Sequence, residues 1–255
     1  MGCTRSPFSG GLQCCAFCTG PVNPDVIPLM QNPWRQLPVK APFVLPMDAA
    51  AVAAYQQHFA GSPNLQLQTQ LMPEPYHGNP NASICILSLN PGFSERDTHW
   101  HFDTELGASL RANLAHESAE YPFVYFDPRF EDSPGAKWWR RKTRRVIEHV
   151  GLSKAASAIF NVELFPYHSK SYRRAPKRLV ANRLVPSSEY SGHLVREFIR
   201  KNKTIVVFRS FRLWVDLVPE LDAYDNTFVV KNPRNPTISH NNLERFQELL
   251  DRVAV

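Results

Sequence analysis

Short, almost wholly apolar runs separated by helical stripes constrain this chain more than any other feature. Ile84-Cys-Ile-Leu-Ser-Leu89 is one such run. It has no alternating wet face, as expected for a parallel strand buried on both sides. Ala158-Ile-Phe160, Thr204-Ile-Val-Val-Phe208 and Thr227-Phe-Val-Val230 predict three more strands. Between them lie helices. Ser133-Pro134 reads as an N-cap followed by proline at the first helical position, opening a helix with Trp138, Trp139, Val146, Ile147 and Val150 on one side. Leu194, Val195, Phe198 and Ile199 mark a second helix; Phe211, Trp214, Val215 and Val218 mark a third. The last carries Leu243, Phe246, Leu249, Leu250 and Val253, with Asn241 and Glu244 at capping-box spacing. Strands alternating with helices predict an α/β fold, three layers (α/β/α) around a central, mainly parallel four-stranded sheet.

The first 45 or so residues hold Pro21, Pro24, Pro28, Pro33, Pro38 and Pro42 and show little periodicity. They read as a Pro-rich, Cys-containing leader able to stay disordered, ahead of one domain over 46–255. Asp48 caps a helix reaching about Phe59, and Leu65-Gln-Leu-Gln-Thr-Gln-Leu71 alternates like a strand with one wet face. Cys3, Cys14, Cys15 and Cys18 crowd the leader. Cys15-x-x-Cys18 has metal-knuckle spacing, but its second pair would be Cys3 and Cys14 at awkward spacing, so these read as reduced thiols and no metal or cofactor is expected. Cys85 reads as core. Met1 to Ser6 formally fits a myristoylation pattern, which six residues reach easily by chance. The absence of a long apolar stretch and of a signal pattern predicts a soluble, cytoplasmic protein with no membrane partner.

Net charge is +6, and its distribution says more than its sum. Arg140, Arg141, Lys142, Arg144 and Arg145 form one cluster; Lys170, Arg173, Arg174, Lys177, Arg178 and Arg183 form another without an intervening acid. Either alone suits a solvated face. Together they suggest phosphate contacts and a DNA partner.

Ligands of parallel sheets bind beyond the carboxyl ends of the strands. Those ends deliver Asn90-Pro-Gly-Phe93, Asn161-Val-Glu163, Arg209-Ser210 and Lys231-Asn-Pro-Arg-Asn-Pro236. A single asparagine there is usually a turn former; three are harder to set aside.

On these residues the chain resembles the uracil-DNA glycosylase superfamily, especially its thymine-DNA and single-strand-selective branches, over about residues 65–252. Leu87-Ser-Leu-Asn-Pro-Gly92 looks like the family's first motif, Ser133-Pro-Gly-Ala-Lys-Trp-Trp139 like the segment before its next helix, Phe160-Asn161 like its base-reading asparagine, and Pro233-Arg-Asn-Pro236 like its DNA-wedging loop. The resemblance implies a monomeric hydrolase that flips a damaged or modified pyrimidine from DNA and cleaves its N-glycosidic bond in base-excision repair. Asn90 would orient the water and Asn232 would act in catalysis. Phe93, Tyr125 and Asn161 would hold the base; Ser169, Lys170, Ser210, Arg234 and Asn235 would bind DNA. The family's leaving-group histidine is missing: Asn232 or Val230 aligns there, and His240 reads as a helix-cap residue. Glu95, Asp97 and Asp127 are further candidate carboxylates. Two alternatives stay open: a glycosylase retuned to bulky modified cytosines of phage DNA in antiviral defence, and a non-catalytic DNA-binding module.

Overall fold

The structure, a computed structural model, describes residues 30–102, 104–180 and 184–254. Its sheet has five strands rather than four, in the order β1-β3-β2-β4-β5. β2 (Ile84–Ser88), β3 (Ile159–Glu163), β4 (Thr204–Val207) and β5 (Thr227–Val229) are the four predicted strands, and all their pairings are parallel. β1 (Tyr76–Gly78) adds an antiparallel edge on β3. So short a strand leaves no periodic signature. Gly78, at φ 102°, is what lets it lie so close: a Cβ there would sit 2.4 Å from the Ile159 carbonyl oxygen.

Every residue of β2, β3 and β4 is buried, so both faces of the sheet are covered. The helices among the described residues are α1 (Ala49–His58), α2 (Glu95–His101), α3 (Thr104–Leu114), α4 (Pro134–Lys142), α5 (Arg144–Val150), α6 (Leu152–Ala158), α7 (Ser188–Arg200), α8 (Phe211–Leu217) and α9 (Phe246–Ala254). α6 packs on β3 and against α5, which meets α9; α7 packs on β3 and β4 and against α8. The connection from β2 to β3 runs one way along the sheet and that from β3 to β4 runs back. Right-handed crossovers therefore put α6 and α7 on opposite faces.

Four local expectations are corrected. Residues 65–71 form no strand: Leu67 and Leu71 are buried as the alternation implies, but the backbone of Leu67 bonds the Gln56 side chain at 2.9 Å on both its N–H and its carbonyl. Asp48 precedes α1 without a side-chain cap, its carboxylate being used elsewhere. The helix opened by Ser133, which does accept from Ala136 N at 3.1 Å, breaks at Thr143, whose hydroxyl bonds back to the Trp139 carbonyl. The final helix starts at Phe246 rather than Asn241, because Asn242 and its neighbours form turns that hold the loop after β5.

The leader also ends earlier than expected. The compact unit begins at Gln31, because Trp34, Leu37 and Leu45 are buried in the core and Asn32 donates to the Leu114 carbonyl at 2.7 Å. Leu37→Ala should therefore cost about 2 kcal/mol in urea unfolding. A loss within error of zero would return residues 31–45 to the status of a loose tail.

Candidate functional site

Because β2 to β5 run parallel, the segments that follow them emerge at one edge of the sheet. Asn90 is half-buried there. Its Nδ2 donates to the Pro91 carbonyl at 3.0 Å and to Ser169 Oγ at 3.1 Å. A carbonyl can only accept, so the amide orientation is fixed. Asn90 Oδ1 receives no donor among the described residues, which leaves it as the free end. Ser169 is buried, and its own hydroxyl donates to the Ser171 carbonyl at 2.8 Å. It therefore positions Asn90 rather than reaching a phosphate, as the sequence suggested. Phe93 is half-buried beside it, with the exposed Lys170 ammonium 5.9 Å from its ring centre.

Asn161 lies within β3, opposite Ile86 of β2 and His77 of β1, rather than beyond the strand. It is wholly buried. Ser88 Oγ donates to its Oδ1 at 2.9 Å, and its Nδ2 donates to Glu163 Oε1 at 3.1 Å. Both ends of the amide are thus held inside the protein, and Asn161 presents no open edge in this conformation. Glu163 Oε2 is buried without a partner among the described residues. Burial pushes the Glu163 carboxyl up to about 8; the Asn161 hydrogen bond and Arg209 oppose that rise, and the Glu74 charge adds to it. A raised carboxyl means the folded chain holds the proton more tightly than the unfolded one. Its stabilising contribution is complete below about pH 4.5 and declines as pH rises toward about 8. Glu163→Gln, which mimics the protonated acid, should remove on the order of 2 kcal/mol of stability loss between pH 5 and 8. Melting curves across that range check it; parallel wild-type and variant profiles would contradict it.

Tyr125 does not stack on an open pocket. It is buried, and its hydroxyl donates to Glu74 Oε1. Glu74 is itself buried among imidazoles: His77 Nε2 lies 2.9 Å from Oε2, while His101 Nε2 and His168 Nε2 lie 3.2 and 3.5 Å from Oε1. Burial alone would raise the Glu74 carboxyl, but His168, His77 and His101 together hold it well below the carboxylate range. Burial disfavours the charged His168 ring, yet Glu74 and the Gly92 carbonyl raise it overall. Sequence reading missed this cluster. Its members span Glu74 to His168 without a repeated spacing, and no local motif could have revealed them.

In the loop after β5, residues 231–235 are exposed. Asn232 Oδ1 accepts from the backbone N–H groups of Arg234 and Asn235, both at 3.2 Å. This oxygen shapes the loop tip as an Asx turn. Asn235 Oδ1 accepts from the buried Lys142 at 2.6 Å, while Arg234 stands at the tip. Lys142 is lowered by burial and by the nearby charges of Arg141 and Arg209, and Arg209 also acts on Glu163. Ser210, at φ 61°, stands before α8 without using its side chain as a cap.

The remaining candidate carboxylates each have a partner within the chain. Asp97 completes a capping box with Ser94, Glu95 lies 3.6 Å from Lys170, and Asp127 pairs with Arg129 at 2.6 Å. His240 caps no helix; it is exposed and lines a 470 Å³ depression with Arg145 and Phe246. A larger one of 610 Å³ lies between Asn113, Tyr121 and Arg129. Neither is lined by Asn90, Asn161 or residues 231–235. Much of the first basic cluster is paired within the chain: Arg140 with Glu131, Arg144 and Arg145 with Glu148. In the second, Arg174 meets Asp216, whereas Lys177 and Arg178 are exposed. Arg183 and the four leader cysteines lie outside the described residues, and with those cysteines the metal-knuckle question. No described helix is long and apolar enough to cross a membrane. Compared with protein-family models, curated proteins and solved structures, the chain matches none. Fold and site together define an α/β protein with an amide- and cation-bearing strand edge.

Proposed function

We propose that this chain is a DNA glycosylase of the uracil-DNA glycosylase type, with its four parallel strands as the core of that fold, acting as a cytoplasmic monomer on a damaged or modified pyrimidine. The observation that carries the reading is the Asn90 amide. Its Nδ2 is held by Pro91 and Ser169 and its Oδ1 is left open, the orientation that accepts a hydrogen bond from a water and aims it. An amide is a poor base, so it would position the water rather than deprotonate it. Phe93 and Lys170 border the same edge, one offering a face for a base and the other a charge for a phosphate. Ser210 follows β4, the neighbour of β2, and Arg234 follows β5, one strand further out. Asn161 would meet a base edge only by exchanging its bonds to Ser88 and Glu163. Asn232 has its oxygen engaged in a turn, so its Nδ2 is the atom it would offer as a donor to the departing base.

Incubating the full chain with oligonucleotides carrying uracil, thymine mismatches or 5-substituted cytosines, then testing for alkali-labile abasic sites, decides the matter. Cleavage of the substituted cytosines alone would favour the antiviral variant of this reading. Binding of every oligonucleotide with no abasic site in any would leave a DNA-binding module and sink the enzyme.

A further inference from the structure

Glu74 precedes β1, His101 ends α2, and His168 follows β3. One donor atom from each lies within 4.8 Å of the other two, with Glu74 Oε1 at 3.2 Å from His101 Nε2 and 3.5 Å from His168 Nε2. A zinc ion with bonds of roughly 2.0–2.1 Å holds tetrahedral ligands roughly 3.3 Å apart. The surroundings are those of a ligand shell. His168 Nδ1 lies 2.7 Å from the Gly92 carbonyl, a partner that turns the opposite nitrogen toward an ion. The Tyr125 hydroxyl and His77 Nε2 brace the carboxylate from outside. The Met72 carbonyl accepts from His168 Nε2 at 3.1 Å, a bond the ring gives up when that nitrogen takes an ion.

A second observation comes from α2. This seven-residue helix buries none of its residues completely, yet the His101 side chain is only 3% exposed. Trp100 packs this helix against the core, and His101 alone of its residues aims an imidazole at the buried Glu74 carboxylate. We propose that Glu74, His101 and His168 bind a divalent first-row transition ion, zinc by the match of two imidazoles and one carboxylate. The ion ties α2 and the segment carrying Asn90 to Gly92 onto the start of β1 and the end of β3. Binding displaces protons from the rings, as such sites do.

The test uses the full, tag-free chain carrying Cys3→Ser, Cys14→Ser, Cys15→Ser and Cys18→Ser, so that leader thiols cannot compete. After chelator treatment, it is titrated with Zn²⁺ and Co²⁺. About one equivalent should bind, the melting temperature should rise by several degrees, and Co²⁺ should give the visible band of a low-coordinate N/O site. His101→Ala, at the end of a surface helix, should weaken binding at least about tenfold while the chain still unfolds cooperatively. No band and no thermal shift in excess Zn²⁺ would overturn the site, as would binding undiminished in both His101→Ala and His168→Ala.

Discussion

Asp48→Ala should destabilise the fold by about 4 kcal/mol, among the larger losses a single substitution produces. Asp48 is fully buried, and three donors converge on it: Ser187 N at 2.9 Å, Ser187 Oγ at 2.6 Å and Tyr167 Oη at 2.7 Å. Alanine leaves all three buried and unpaired, each at a desolvation cost of about 1–3 kcal/mol. Burial raises the Asp48 carboxyl despite these bonds, so the charge itself is costly where it sits. Asp48→Asn, which keeps an acceptor and drops the charge, should lose less than half as much. At about 2–4 °C per kcal/mol for a chain of this size, Asp48→Ala should melt roughly 10 °C early. A shift under 2 °C would mean that water takes over the three donors.

The effect reaches the strand edge through consecutive residues. Tyr167 holds Asp48, His168 touches the Gly92 and Met72 carbonyls, and Ser169 accepts from Asn90. One tripeptide after β3 thus joins the start of α1, the segment after β2 and the Glu74 cluster. The family resemblance gave Ser169 a DNA contact, not the place in this chain of bonds. What sequence reading could see were local signals: the apolar runs of β2 and β4, the Ser133-Pro134 helix start, the amphipathic stripes of α7 and α8. It could not see partners far along the chain. Asp48 looked like an N-cap because its role depends on Ser187, 139 residues later. Asn161 looked like a strand-end residue because β3 continues two residues further, to Glu163, beyond the apolar run that marked it. Asn90 and the exposed Arg234 loop were legible because turns and strand ends are written in adjacent residues. The Glu74 cluster was not, because a tertiary constellation has no period.

On the proposed chemistry, Asn90→Ala should slow single-turnover base release by on the order of 100-fold. DNA affinity should stay within a few-fold of wild type. The split follows from geometry. Asn90 is half-buried and its Nδ2 is spent on Pro91 and Ser169, so it offers a ligand one acceptor atom and little contact area. What alanine removes is the aim of a water, a contribution made at the transition state more than on binding. Ser169→Ala supplies the graded control. It keeps Asn90 but deletes one of the two acceptors that fix its amide, and should cost on the order of tenfold in the same assay. Asn90→Asp separates positioning from basicity. A carboxylate there would face the Pro91 carbonyl oxygen, and Ser169 would have to give up its bond to the Ser171 carbonyl to satisfy it. Any gain in base strength therefore comes with a displaced loop, and its rate should fall between those of the alanine variant and wild type. Asn90→Ala releasing base at the wild-type rate would remove Asn90 from the chemistry, and with it the observation on which the glycosylase reading stands.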